Sequence, residues 1–290
     1  MSRDVMCPMK PLYFLILLWI CACSYRRDGV VSGPDDVKTF RMYSHAVSDI
    51  FIITVYSPEK IPGTSQLPVV YLLDANLHFD VFSAALRKYG EAGLLPPVIL
   101  VGVGYRDFEE MDSLRSRDYT FPQAKTEYEM SISGGALNFY SFLKEELMPL
   151  IDSVTGQNKS DNLLAGHSLG GYFVLFALTE DDLHGGHSFN GYIAASPSIH
   201  YNDYFLFRRI AQPGRDRHPP TVFIAFGGEE DDGEPGIMPV EQALDSLKLL
   251  LGKNKGIHAG GEVYSGLGHM DTPFPCFVNG LGRCLASRRQ

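Results

Sequence analysis

The chain has 290 residues, 45% of them hydrophobic and 20% charged, the make-up of a globular protein able to bury a large core. Its formal net charge of −9 argues against a nucleic-acid partner, since phosphate binding needs basic surface. Neither a cofactor-binding motif nor a zinc-ligand spacing is present, so no metal or organic cofactor is expected.

The N-terminus departs from this ordinary composition. Arg3 and Lys10 precede a short apolar run from Leu12 to Ile20, too short to span a bilayer comfortably. Ile20-Cys21-Ala22-Cys23 then resembles the lipobox of bacterial lipoproteins, with an aliphatic residue, a small residue and the cysteine in the expected places. Residues 1–23 are therefore expected to be a signal peptide of lipoprotein type, with Cys23 lipidated. An ordinary secretory signal, or an uncleaved anchor, is the alternative. Stable anchoring takes more than one acyl chain. The expected location is the bacterial cell envelope, membrane-anchored and facing the periplasm or the cell surface. Residues 24–38 are polar, carry Gly29, Gly33 and Pro34, and read as a tether. Residues 39–290 read as one domain.

Seven segments then read as strands: 49–56, 68–74, 98–104, 162–166, 191–196, 221–228 and 261–266. Most are continuous apolar runs, which points to burial on both faces. Between them Leu137, Tyr140, Leu143, Leu147 and Ile151 recur at helical spacing, as do Val240, Ala243, Leu244, Leu247 and Leu251. Alternating strands and helices predict an α/β fold with a mostly parallel sheet covered on both sides. Residues 105–133 and 197–219 fit neither element and read as long loops at the sheet edge where ligands bind. Cys276 and Cys284 are free to pair in an exported protein, but their spacing alone does not decide it.

One stretch, "NLLAGHSLGGYFVLFAL", carries G-x-S-x-G between a strand candidate and a helix candidate. This is the setting of a nucleophile elbow, where a strained turn exposes a serine before a helix N-terminus. Ser168 is the candidate nucleophile. It needs a base and an orienting acid, which in α/β-hydrolases follow in the order Ser, acid, His. "GLGHMDT" places His269 after the last strand, and it is the candidate base. His167 is too close in sequence to Ser168 for that role. His184 and His187 form an H-x-x-H without further ligands. "FGGEEDD" places Glu229, Glu230, Asp231 and Asp232 after a late strand. Glu230 is favoured as the acid, with Glu229 and Asp231 as substitutes; a solvated acidic loop, or a weak Ca²⁺ site built on several carboxylates, is the competing reading. Leu169 supplies one expected oxyanion-hole N–H and the turn at Asp74-Ala75-Asn76 the second.

Six ordered segments, "VVYLLDAN", "RDYTFP", "GGALNFYSFLKEELMPLID", "LLAGHSLGGYFVLFAL", "YIAASPSIHYND" and "SGLGHMDTP", together resemble the Putative esterase family. That family includes enterochelin-esterase-like hydrolases and feruloyl and acetyl esterases, and the likeness is greatest to the siderophore-esterase-like branch. The resemblance runs from about Phe51 to Leu281. It implies an α/β-hydrolase fold and carboxylic-ester hydrolysis through an acyl-enzyme, with Ser168, His269 and Glu230 as triad. It also implies that the second oxyanion donor is Asn76, although Ala75 replaces the glycine of the common "LLDGN". Some siderophore esterases of this kind work with a Ser–His dyad, so the acid is the least fixed member.

Arg117, in "RSRDYTFP", is expected either to bind a substrate carboxylate or phenolate or to form a structural ion pair with Asp118 or another acid. Tyr119, Tyr201, Tyr105, Phe108, Phe121 and Tyr204 suit an aromatic or catechol-like acyl group, though loop aromatics more often serve packing. The expected substrate is a siderophore lactone or an acylated sugar. Acyl transfer, or binding of a siderophore or glycan without turnover, are the alternatives.

Overall fold

The computed structural model describes residues 36–58, 66–128, 130–157, 161–186, 188–212, 220–230, 237–255, 257 and 259–286. The leader, Cys23 and nearly all of the expected tether lie outside them, as does Asp231. Eight strands form one sheet: β1 (Val37–Ser44), β2 (Asp49–Tyr56), β3 (Val69–Leu72), β4 (Ile99–Gly104), β5 (Asn162–His167), β6 (Gly191–Ala195), β7 (Thr221–Gly227) and β8 (Gly260–Tyr264). Their order is β1-β2-β4-β3-β5-β6-β7-β8. The first two strands are antiparallel additions, and every pairing from β4 through β3 to β8 is parallel.

Parallel strands need crossovers, and the helices supply them on both faces. Helix α1 (Ala75–Glu91) and helix α8 (Pro273–Ala286) pack Phe79, Phe82, Cys276, Phe277 and Leu281 against Val70, Leu72, Leu163 and Ala165 on one face. Helix α5 (Leu169–His184) and helix α7 (Val240–Lys255) cover the other. A segment made of α3 (Ala136–Ser141), a π-helical turn at Phe142–Leu147 and α4 (Met148–Thr155) joins them there. In β3, Val69 and Tyr71 face this second layer while Val70 and Leu72 face the first, so the whole strand is buried. That is why the central strands read as unbroken apolar runs. Helix α5 is apolar nearly all round because it is enclosed, from Leu169 through Asp182, on every side.

Three sequence expectations need correction. Folded structure begins before Thr39, since β1 starts at Val37 and pairs with Tyr56. Its mixed polar pattern, VKTFRMYS, reflects an edge strand with an exposed face. The stretch 105–133 is not all loop, because it contains α2 (Phe108–Tyr119), capped by the Asp107 carboxylate accepting from Glu110 N–H at 2.9 Å. This helix has little apolar periodicity, burying Met111, Asp118 and Tyr119, which hid it from pattern reading. Likewise α6 (Tyr201–Ile210) occupies the second supposed loop.

Cys276 and Cys284 are buried thiols not joined in a disulfide. Eight residues along one helix separate their backbones by about 12 Å, beyond disulfide reach. Burial pushes the Cys276 thiol well up and the Cys284 thiol to about 12, so neither is a thiolate at neutral pH.

Candidate active site

The C-terminal ends of the parallel strands bring the key side chains to one edge, where such sheets collect their sites. Ser168 links β5 to α5 with φ 58° and ψ −120°, a conformation that costs an ordinary residue about 1–3 kcal/mol. Glycine lets the turn close: a Cβ on Gly166 would sit 2.5 Å from the Gly170 carbonyl oxygen. The Ser168 hydroxyl meets Ser198 Oγ at 3.3 Å, and the Ser198 N–H donates to the Ser168 carbonyl at 3.1 Å.

Glu230 follows β7, and His269 lies in the loop between β8 and α8. Their side chains meet, His269 Nδ1 lying 2.9 Å from Glu230 Oε2. The other carboxylate oxygen accepts from Ser196 Oγ at 2.5 Å and from the Gly227 N–H, with Thr272 Oγ1 lying 3.3 Å away. Burial alone would raise this carboxyl, but the hydrogen bonds from His269, Ser196 and Gly227 outweigh it and hold it below the usual glutamate range. Glu229 is exposed, its N–H donating to the Leu267 carbonyl. Gly227 allows the histidine loop to close over the strand, since a Cβ there would lie 2.3 Å from the Leu267 carbonyl oxygen.

Ser168 and His269 line a cavity of about 550 Å³ with Glu230, Ser196 and Ser198. Ile199, Phe226, Met238, Val240 and Ala243 make its apolar wall. Two helix N-termini converge beside the serine. Leu169 starts α5, and a Cβ on Gly170 would be 3.1 Å from Asp74 Oδ2, the residue preceding α1. The N–H groups of Leu169 and Asn76 lie in the first turns of these helices, where no intrahelical acceptor exists. The Asn76 side chain is committed elsewhere, bridging Tyr105 N–H at 2.8 Å and Tyr105 C=O at 2.9 Å.

The family model described as Putative esterase matches residues 44–234. This chain belongs to that family. The ferri-bacillibactin esterase BesA of Bacillus subtilis is 33% identical over 245 residues, covering 79% of this chain and 82% of the relative. An apo-salmochelin esterase of Escherichia coli is 29% identical over 223 residues, covering 73% and 67%. Among solved structures, the BES protein from Bacillus cereus superposes with TM-score 0.72 at 25% identity, covering 88% of this chain and 96% of that one. The enterobactin hydrolase IroE in complex with DFP superposes with TM-score 0.66 at 26% identity, covering 87% and 94%. The fold is the single-domain α/β-hydrolase fold, and the protein is a serine carboxylic ester hydrolase of the siderophore-esterase-like branch.

Within this esterase the expected substrate contacts from the two long segments largely fall elsewhere. Arg117 binds Asp118 at 2.7 Å and Asp49 at 2.8 Å, the structural ion pair rather than a cavity contact. Tyr119 is wholly buried, its ring against Phe139 and Phe173, with its hydroxyl accepting from Asp74 N–H. Tyr201 is also buried, donating to the Pro122 carbonyl at 2.8 Å. These rings fill the layer between α2, α5 and α6, which leaves no face for a ligand. Of the loop aromatics, Tyr204 lines the cavity, and Tyr105 is buried beneath Asn76. Among the described residues, segment 105–133 contributes nothing to the cavity lining, whereas 197–219 contributes Pro197 through His200 and Tyr204.

Sequence reading passed over several neighbours of the site. Ser196 and Ser198 stand in the quoted "AASPS" just after β6, a position that itself signals the sheet edge. Thr272 follows His269 by one helical turn and donates to its carbonyl at 2.9 Å. Arg115 grips Asp74 at 2.8 Å and the His167 carbonyl at 3.3 Å, tying the turn after β3 to the Ser168 turn.

Proposed function

We propose that this esterase hydrolyses siderophore-type lactone esters through an acyl-enzyme on Ser168, with His269 as base and Glu230 as orienting acid. The observation that carries the reading is the Glu230–His269 hydrogen bond beside a serine on a strained strand-to-helix turn. In this scheme the Ser168 hydroxyl leaves Ser198, turns to His269 Nε2 and gives up its proton as Oγ attacks the ester carbonyl. The oxyanion is held by the N–H groups of Leu169 and Asn76 at the two helix N-termini. The imidazolium returns its proton to the leaving alcohol. Water then repeats the attack on the acyl-enzyme, and Glu230 stabilises the charged imidazole in both halves.

The substrate class rests on relatives whose names are siderophore esterases and on a cavity of about 550 Å³ with an apolar wall. The leader with its lipobox-like Cys23 supports placing the enzyme on the bacterial cell envelope, where Cys23→Ser would release it from the membrane fraction. The test of function is a hydrolysis screen comparing a triscatecholate trilactone, feruloyl and acetylated sugars and simple aryl esters, each with parent enzyme and Ser168→Ala. The proposal expects preference for the trilactone and loss of turnover in the variant. Preference for the acetylated sugar would reassign the substrate, and turnover by Ser168→Ala would remove the mechanism.

A further inference from the structure

The residue before the nucleophile is placed where it can set the position of the base. Along β5 side chains alternate, and Leu163 and Ala165 point to the face covered by α1 and α8. His167 continues that row, is 3% exposed, and reaches under the sheet edge toward the loop carrying His269. Its Nε2 lies 2.9 Å from the His269 carbonyl oxygen. A carbonyl only accepts, so Nε2 carries the proton and donates. The two rings also pack together, with centroids 4.6 Å apart and planes inclined by 45°.

From behind, His78 on α1 stacks edge-on against His167 at 5.7 Å. Arg115 holds the His167 backbone carbonyl at 3.3 Å. Burial, with the neighbouring His269 and His78, lowers the His167 imidazole to about 3, so it remains a neutral donor across the working range.

We propose that His167 is a positioning residue for ester hydrolysis, fixing His269 relative to Ser168 through its Nε2–H bond to the His269 carbonyl. The inference rests on the assignment of Ser168 and His269 as nucleophile and base. His167 is joined to Ser168 by one peptide bond, so its hydrogen bond ties the base-bearing loop directly to the nucleophile turn. Thr272 Oγ1 grips the same carbonyl at 2.9 Å and also reaches Glu230. The base is thereby clamped from the nucleophile side by His167 and from the acid side by Thr272.

The test compares two amides of different reach. Glutamine places its amide nitrogen near the position of histidine Nε2, while asparagine stops at the level of Nδ1 and falls short of the carbonyl. Steady-state kinetics on an aryl ester should show His167→Asn losing about 10- to 100-fold in kcat, the scale expected for slight misplacement of a reacting group, with KM within about twofold. His167→Gln should stay within about fivefold of the parent in kcat, because the N–H donor is kept. Folding of both is checked by circular dichroism and thermal melting, and His167→Leu joins as a donor-free variant if either fails to fold. Equal losses in the Gln and Asn variants, or no loss in Asn or Leu, would overturn the proposal and reduce His167 to a packing residue. Ser168→Ala in the same assay separates the two claims: turnover there removes the nucleophile assignment, whatever the His167 variants do.

Discussion

Ser196 Oγ donates to Glu230 Oε1 at 2.5 Å, on the opposite side of the carboxylate from His269. That bond is one reason the Glu230 carboxyl lies below its ordinary range despite burial. Because the folded-state value is depressed, the stability from ionised Glu230 is fully present above the unfolded value of about 4.3 and is lost as pH falls through the folded value. Ser196→Ala removes a donor, raises the folded value and shrinks this contribution. The acid-unfolding transition, followed by far-UV circular dichroism, should therefore move to higher pH, and kcat should fall about three- to thirtyfold as the acid is less firmly held. Superimposable acid curves for parent and variant would show that Ser196 does not hold the carboxylate.

The strained turn at Ser168 depends on a glycine two residues earlier. A Cβ on Gly166 would meet the backbone of Gly170 at 2.5 Å and 2.6 Å, too close for a flexible neighbour to yield. Gly166→Ala should destabilise the fold by about 3 kcal/mol or more, the scale of backbone overpacking in a core. Thermal melting of the purified variant, or failure to obtain soluble protein, is the readout. A variant with the parent's melting temperature would mean that β5 and α5 can separate at little cost.

The contrast between Gly166 and Tyr119 explains how much of this site was legible in the sequence. Backbone needs leave a local signature: G-x-S-x-G between two apolar runs announced the strained turn at Ser168, and the acidic run and glycine-flanked His269 fall on the loops that bring Glu230 and His269 into contact. The central strands were equally plain, since burial on both faces leaves no polar alternation in segments such as VVYL and ILVGVG. Side-chain destinations leave no such mark. Tyr119 and Tyr201 have the composition of a binding platform, but their rings point into the layer between α2, α5 and α6. Arg117 was ambiguous for the same reason: the sequence shows Asp118 beside it but not Asp49, which β2 brings from 68 residues away. Helix α2 was missed because it is held by ion pairs and a few buried contacts rather than by an apolar stripe.

In the proposed mechanism the Ser168 hydroxyl, 3.3 Å from Ser198 Oγ, must turn away from that contact to give its proton to His269 when Ser168 is the donor of the pair. A neutral hydrogen bond of this kind stabilises the resting state by about 0.5–1.5 kcal/mol. Ser198→Ala should therefore react with a fluorophosphonate probe about two- to tenfold faster than the parent. Slower labelling would instead give Ser198 a role during attack itself, as a donor to the forming tetrahedral centre. Mass spectrometry of the labelled peptide containing Ser168 provides the count.

The buried imidazole of His167 carries a separate consequence for stability. Its folded-state value of about 3 lies well below the ordinary 6.5, chiefly because burial disfavours the charged form. Between these two values the unfolded chain binds the proton and the folded chain does not, so stability rises with pH across that window. The contribution is complete above about pH 6.5 and declines on acidification toward pH 3, by up to about 5 kcal/mol. His167→Gln has nothing to protonate at this position, while His78, also lowered mainly by burial, is present in both proteins. Urea unfolding at pH 7, 6, 5 and 4 should therefore show a shallower fall in stability for the variant than for the parent. Parallel curves would mean that His167 is protonated in the fold or is shielded by solvent that its 3% exposure does not suggest.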